Sequence, residues 1–202
     1  MKPIFAEVFA EQWDRLPPVM RKHYANRPHT GDRVTVSGTL DVRIHPLMKP
    51  LAPLMGALGL LTPWAGEAVP CRVTFRSQPD GGAFIFDRQF QFPGHEPYRF
   101  RSELVAKGPH DVIEVMRCGV GWRCGYSFDD GRVVLSHKGY VLRLFGFDIS
   151  LPGAGLIVGR GEAFETPIDD DRFAMFMALR HPLFGELYSY GGEFTVTEMA
   201  LA

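Results

Sequence analysis

Apolar and polar positions alternate along this chain with two different periods, and the change of period divides it. Phe5, Val8, Phe9, Trp13, Leu16 and Met20 recur every three or four residues. That is the spacing of one helix face, and it predicts an amphipathic helix that Pro17-Pro18 bends or restarts before Met20-Arg21-Lys22-His23-Tyr24. After Gly31-Asp32 the period drops to two: Val34, Val36, Gly38, Leu40, Val42 and Ile44 predict a strand ending at His45-Pro46. The most apolar stretch, Leu47–Leu61, is broken by Pro50, Pro53, Gly56, Gly59 and Lys49, and it is too short to span a bilayer. It reads as a buried helix plugging one end of a sheet, as a lid over an apolar cavity, or as a segment dipping into a membrane surface.

From Val69 onward short period-two runs are punctuated by turn signals such as Pro79-Asp80-Gly81-Gly82, Pro93-Gly94 and Asp129-Asp130-Gly131. Roughly nine antiparallel strands follow, at the spacing of sandwiches and barrels. Strands do not alternate with helices, which excludes a parallel doubly wound sheet. Gly153-Ala154-Gly155 and Gly159-Arg160-Gly161 lack the context of a dinucleotide fingerprint and read as a turn and a strand bulge. The expected fold is α+β: a strongly curved, half-barrel or barrel-like antiparallel sheet with helical segments near residues 5–25 and 46–61. Its 202 residues, 46% hydrophobic and 12% aromatic, suffice for one domain over 1–202.

Sorting strands by parity exposes the candidate chemistry. Along Phe84–Phe92, Arg88 shares a face with Phe84, Phe86, Phe90 and Phe92. A guanidinium on such a row needs a carboxylate or bound anion beside it, because an unpaired buried charge costs several kcal/mol. Tyr98, Phe100, Ser102 and Leu104 form a second inward row, Val120, Trp122, Cys124 and Tyr126 a third, and Tyr188, Tyr190, Phe194 and Val196 a fourth. In the strand expected after Pro152, Leu156, Val158, Arg160, Glu162 and Phe164 fall together, which makes Glu162 the natural partner for Arg88.

Two readings of the pair stand side by side. The charges neutralise each other and fix strand order, or Arg88 holds the anionic head of an amphipathic ligand, with Glu162 tuning it or acting as a general base. Ser102, Tyr188, Tyr190 and His137 could add hydrogen bonds. Phe86, Phe90, Phe100 and Trp122 would line the apolar part. No nucleophile elbow is present, His137 between apolar neighbours reads as a core histidine, and His23 reads as a partly exposed surface residue.

Charge and cysteine content narrow the classes. A net charge of −1 without a basic run disfavours nucleic acid as a partner. Cys71, Cys118 and Cys124 lack disulfide or zinc spacing and read as buried free thiols, so no metal or cofactor is expected. Glu7, Glu11 and Asp14 interrupt what would be the apolar core of a secretion signal, so a cytoplasmic protein is expected. Three functions remain: binding of a hydrophobic or amphipathic small molecule such as a lipid-like acid, an enzyme acting on such a ligand through Glu162 and neighbouring Tyr or His, and an interaction domain docking on a membrane or partner protein through residues 47–61.

The segments Leu16-Pro17-Pro18-Val19-Met20-Arg21-Lys22-His23-Tyr24-Ala25, Asp87-Arg88-Gln89-Phe90, Phe100-Arg101-Ser102, Leu151-Pro152 and Pro182–Gly192 occur in a familiar order. With them the chain resembles the DUF4166 family of uncharacterised bacterial domains, from about Phe9 to Phe194. The resemblance carries no established activity. It implies an accessory role beside lipid or small-molecule metabolism, and it places Arg88, Phe90, Ser102, Glu162, Pro182, Gly185, Tyr190 and Gly192 on pattern positions. The chain departs from the pattern at Gly38-Thr39-Leu40-Asp41 and at Cys118–Cys124.

Overall fold

In the computed structural model, which describes residues 1–202, eleven antiparallel strands make one sheet that closes on itself. They are β1 (Arg33–Ile44), β2 (Gly66–Ser77), β3 (Phe84–Phe90), β4 (Tyr98–Ala106), β5 (Val112–Met116), β6 (Val120–Asp129), β7 (Arg132–Leu144), β8 (Phe147–Ser150), β9 (Arg160–Pro167), β10 (Arg172–His181) and β11 (Gly185–Ala200). Consecutive strands pair from β1 to β7 and from β9 to β11, β1 pairs with β11, and β7 pairs with β9. Ten strands thereby form a barrel, and β8 is a short ribbon on β7. The expectation of a barrel-like sheet is met, with more strands than the nine expected.

Closure brings β1 and β11 unusually near each other. A Cβ on Gly38 would lie 1.9 Å from the Glu193 carbonyl oxygen, and one on Gly192 would lie 1.9 Å from that of Thr39. Any side chain at either position would drive the two strands apart.

The helices are short. α1 (Ile4–Phe9) stops at Ala10, whose φ of +49° lies outside helical space, and a 3-10 turn follows before α2 (Pro18–His23). The long helix expected over this region is therefore two short ones. Together they plug one barrel end: the Phe5 ring lies 5.3 Å from Phe84 and 5.1 Å from Tyr126, and the His110 amide donates to the Val8 carbonyl at 2.7 Å. Helices and strands thus share one apolar core.

The other end is covered by α3 (Ala52–Leu58). The Tyr98 hydroxyl ties it down, donating to the carbonyls of Gly56 at 2.9 Å and Leu61 at 3.0 Å. Met48 and Ala52 are buried, whereas Leu47, Leu51, Leu54 and Leu58, spaced four, three and four apart, are exposed. No helix is long and apolar enough to cross a membrane.

One seam in the wall is imperfect. β7 and β9 pair only at Val133–Glu165, Val134–Phe164 and Leu135–Ala163. Beyond them β7 pairs with β8 instead, and the chain crosses the gap through α4 (Ala154–Ile157). Side chains replace the missing ladder: the Tyr140 hydroxyl on β7 donates to the Gly159 carbonyl at 2.9 Å, and a Cβ on Gly161 would meet the Trp122 ring at 2.9 Å.

Candidate functional site

The barrel encloses a cavity of about 330 Å³, and 23 of its 28 lining residues are hydrophobic. That volume lies within the range of about 300–1,000 Å³ found for small-molecule sites. Phe86, Phe100, Trp122, Met175, Met177 and Leu179 supply much of the wall. α3 contributes Met55 from one end, α2 contributes His23 from the other, and the stretch spanning the seam contributes Leu151, Ala154 and Val158.

Arg88 enters from β3 on the predicted face and is 4% exposed. Its guanidinium lies between two rings, 3.9 Å from the centroids of Phe86 and Phe100. Both placements follow from the sheet: Phe86 is two residues away on the same strand face, and Phe100 is the cross-strand partner of Arg88 on β4. The charge is met by Glu114 on β5. Glu114 Oε1 accepts from Arg88 Nη2, and Ser102 Oγ accepts from the same nitrogen at 2.6 Å while donating to Glu114 Oε1 at 2.6 Å. Burial works against the arginine's charge, but Glu114 and the neighbouring Tyr190 hydroxyl outweigh it and hold its pKa above the ordinary value. Arg88 Nε is buried without a partner.

The expected pairing of Arg88 with Glu162 is overturned. Glu162 points outside the barrel, about half exposed, and its carboxylate takes the Arg180 guanidinium. Leu156 belongs to α4 and Val158 to its C-terminal cap, so neither sets the parity of β9. That strand begins at Arg160 and turns Gly161, Ala163 and Glu165 inward. Glu162 therefore has no access to the cavity, and an enzymatic role built on it loses its base.

The remaining candidates separate by position. Phe86, Phe100, Trp122 and Tyr190 line the cavity; Phe90 borders a smaller void of about 30 Å³ that Arg88, His23, Glu165 and Tyr190 also touch. Ser102 is buried behind Arg88. Tyr188 is buried away from the cavity, its hydroxyl 2.7 Å from Thr62 Oγ1. His137 lies beside the seam, where its Nδ1 accepts from Trp122 Nε1 at 3.0 Å; burial and then Arg160 push its pKa down. Among the cysteines, Cys71 and Cys124 are buried as expected, but Cys118 is exposed. Burial pushes the Cys71 thiol up to about 12.

Two polar groups of the cavity lie outside the inward rows expected from parity. Glu114 was readable as the inward member of Val112, Glu114 and Met116. Glu165 was hidden by the misplaced start of β9. Glu165 accepts from the Tyr24 hydroxyl at 2.6 Å and lies 3.4 Å from His23 Nε2. Burial first, and then the Glu165 charge, push the Tyr24 hydroxyl well above its usual range. His23 is buried rather than exposed, with its ring 4.5 Å from Phe75 and its Nδ1 unpartnered. α2 turns it inward as part of the barrel plug.

The structure is that of a closed β-barrel around an apolar cavity whose wall carries one paired arginine. The chain belongs to the DUF4166 family, described as "Domain of unknown function (DUF4166)", whose model matches residues 16–194. No curated protein matches it. Among solved structures it is similar to Rv2717c from M. tuberculosis, at 14% identity over 91% of this chain and 99% of that one, with a TM-score of 0.43. A variant of the fluorescent protein UnaG is similar at 14% identity over 81% and 95% of the two chains, with a TM-score of 0.35. Likenesses this distant bear on neither the site nor the function.

Proposed function

We propose that this barrel binds a hydrophobic or amphipathic small molecule, with its apolar part in the cavity. The observation that carries the proposal is the cavity itself: about 330 Å³ within the barrel, lined overwhelmingly by apolar side chains. Close packing fills protein interiors, so a chain selected only for stability gains nothing by leaving such a space. Arg88 does not serve as a free anion anchor, because Glu114 already neutralises it. Its role is to hold β3, β4 and β5 in register.

A neutral fluorescent probe, N-phenyl-1-naphthylamine, tests this. The wild-type protein should bind it saturably, and Met177→Trp, which fills the cavity from β10, should weaken binding at least tenfold at an unchanged melting temperature. Solvent extraction of the denatured wild type and mass spectrometry of the extract provide a second readout. No probe binding and no co-purifying apolar molecule would refute the proposal.

The exposed leucine stripe favours a second, compatible role. Leu47, Leu51, Leu54 and Leu58 are between 41 and 58% exposed, while Met55 of the same segment lines the cavity. A lipid surface is the fitting partner, since the stripe would enter it beside the cavity's cover. Leu54→Asp/Leu58→Asp should then abolish co-sedimentation with phosphatidylglycerol vesicles without lowering stability. Equal sedimentation of variant and wild type would exclude it.

A further inference from the structure

A second pocket, of about 520 Å³, lies on the outside of the barrel at the imperfect seam, and its character is opposite to that of the cavity. Only four of its 13 lining residues are hydrophobic, and Arg123, Lys138 and Arg160 all contribute to it. Arg123 is held by Asp111, whose carboxylate also lies 3.7 Å from Lys138 Nζ. Arg160 has no carboxylate partner: its cross-strand neighbour is Arg180, which is itself committed to Glu162 and Glu186. Three cations against one carboxylate leave the pocket in positive excess.

His137 adds a directed donor. The indole N–H of Trp122 can only donate, so Nδ1 of His137 is the bare acceptor and the neutral ring carries its proton on Nε2. That nitrogen faces the seam, 3.3 Å from where a Cβ on Gly155 would stand.

Pocket and cavity meet at two residues. Tyr140 and Leu151 belong to both linings, at the point where β7 and β9 are no longer joined by backbone hydrogen bonds. Inside, Glu114 already holds Arg88 and Glu165 stands 3.4 Å from His23 Nε2, so the cavity offers an anion no free cation. Outside, the excess is positive.

From this arrangement we infer that the outer pocket is a head-group site for an anion, a carboxylate or a phosphate monoester, whose apolar tail enters the cavity through the gap between β7 and β9, past the side chains of Tyr140 and Leu151. The inference rests on the cavity-binding reading and adds the ligand's class and orientation. Arg160 is the residue that decides it, being the one pocket cation without a carboxylate.

The test is competition against N-phenyl-1-naphthylamine at pH 8 by three ligands of one chain length: dodecanol, dodecanoate and dodecyl phosphate. Calorimetry of each ligand alone gives a readout independent of the probe. The anions should bind about tenfold more tightly than the alcohol, the range of one charge-assisted hydrogen bond. Arg160→Glu should erase that preference while leaving dodecanol and probe binding unchanged, and 0.5 M salt should reduce it in the wild type. The stronger of the two anions distinguishes carboxylate from phosphate. Equal binding of alcohol and anions, or a preference that survives Arg160→Glu, would overturn the inference while leaving the cavity reading intact. If none of the three ligands binds by calorimetry, both fall.

Discussion

Removing the charge of Glu114 should cost this protein more than removing the arginine it serves. The Arg88 side chain is 5% exposed and that of Glu114 is 11% exposed, so neither charge has much water to fall back on. Glu114→Gln preserves shape but leaves a guanidinium between Phe86 and Phe100 with no carboxylate in contact. Arginine cannot shed its proton at accessible pH. Breaking a buried pair from this side costs about 3–5 kcal/mol, equivalent to a fall in melting temperature of about 6–20 °C for a chain of this size. Arg88→Met is milder, because the stranded carboxylate keeps the Ser102 hydroxyl as a donor, 2.6 Å from Glu114 Oε1. Arg88→Met/Glu114→Gln should lose less than the sum of the two single variants, because with both charges gone neither is left stranded. Urea unfolding of the four proteins at pH 7, with m-values held equal, measures the cycle. A Glu114→Gln loss below about 1 kcal/mol, or a double variant that merely sums the singles, would refute a desolvated pair; exposed pairs behave that way.

Three further outcomes are expected. Arg143 first and Lys107 after it hold the Asp148 carboxyl down at about 2, against an ordinary 3.8. A lowered folded-state value adds stability above the unfolded pKa and loses it as pH falls through the folded one, so the gap between wild type and Asp148→Asn should be about 1–2 kcal/mol at pH 7 and close between about pH 4 and pH 2 in denaturant titrations. Arg160→Ala should raise the His137 pKa without restoring it fully, because burial remains the larger cause; an NMR titration that shows no movement would remove Arg160 from its surroundings. Glu162→Gln should change stability by less than about 1 kcal/mol and leave probe affinity in the cavity untouched, since it breaks only an exposed pair with Arg180; a loss of affinity would return Glu162 to the site.

The strands were legible because each carries its own alternation, and the inward direction of Arg88 was legible because four phenylalanines mark its face. Closure was not, since it depends on β1 meeting β11 and on β7 meeting β9 across β8 and α4, which no local pattern encodes. The partner of Arg88 was missed for a physical reason. Parity propagates only within one strand, and α4 interrupts the stretch from which the face of Glu162 was inferred. Glu114 was within reach, standing alone among apolar residues in a five-residue strand. The burial of His23 was not, because its helix presents basic residues on both sides and only the barrel end it plugs decides which face turns inward.

The pairing of β1 with β11 also bears on how the chain reaches this structure. β1 is among the first elements in chain order, yet one of its edges must wait for the last strand, so its apolar row at Val34, Val36, Leu40 and Val42 stays half-sheltered during synthesis. Contacts so distant in sequence form slowly, and an unpaired strand edge is a template for other chains in the interval. Gly38, opposite Phe194, and Gly192, opposite Leu40, sit at that last join. A substitution at either would act on assembly as well as on the finished wall, lengthening the time the barrel stands open and raising its yield of aggregate.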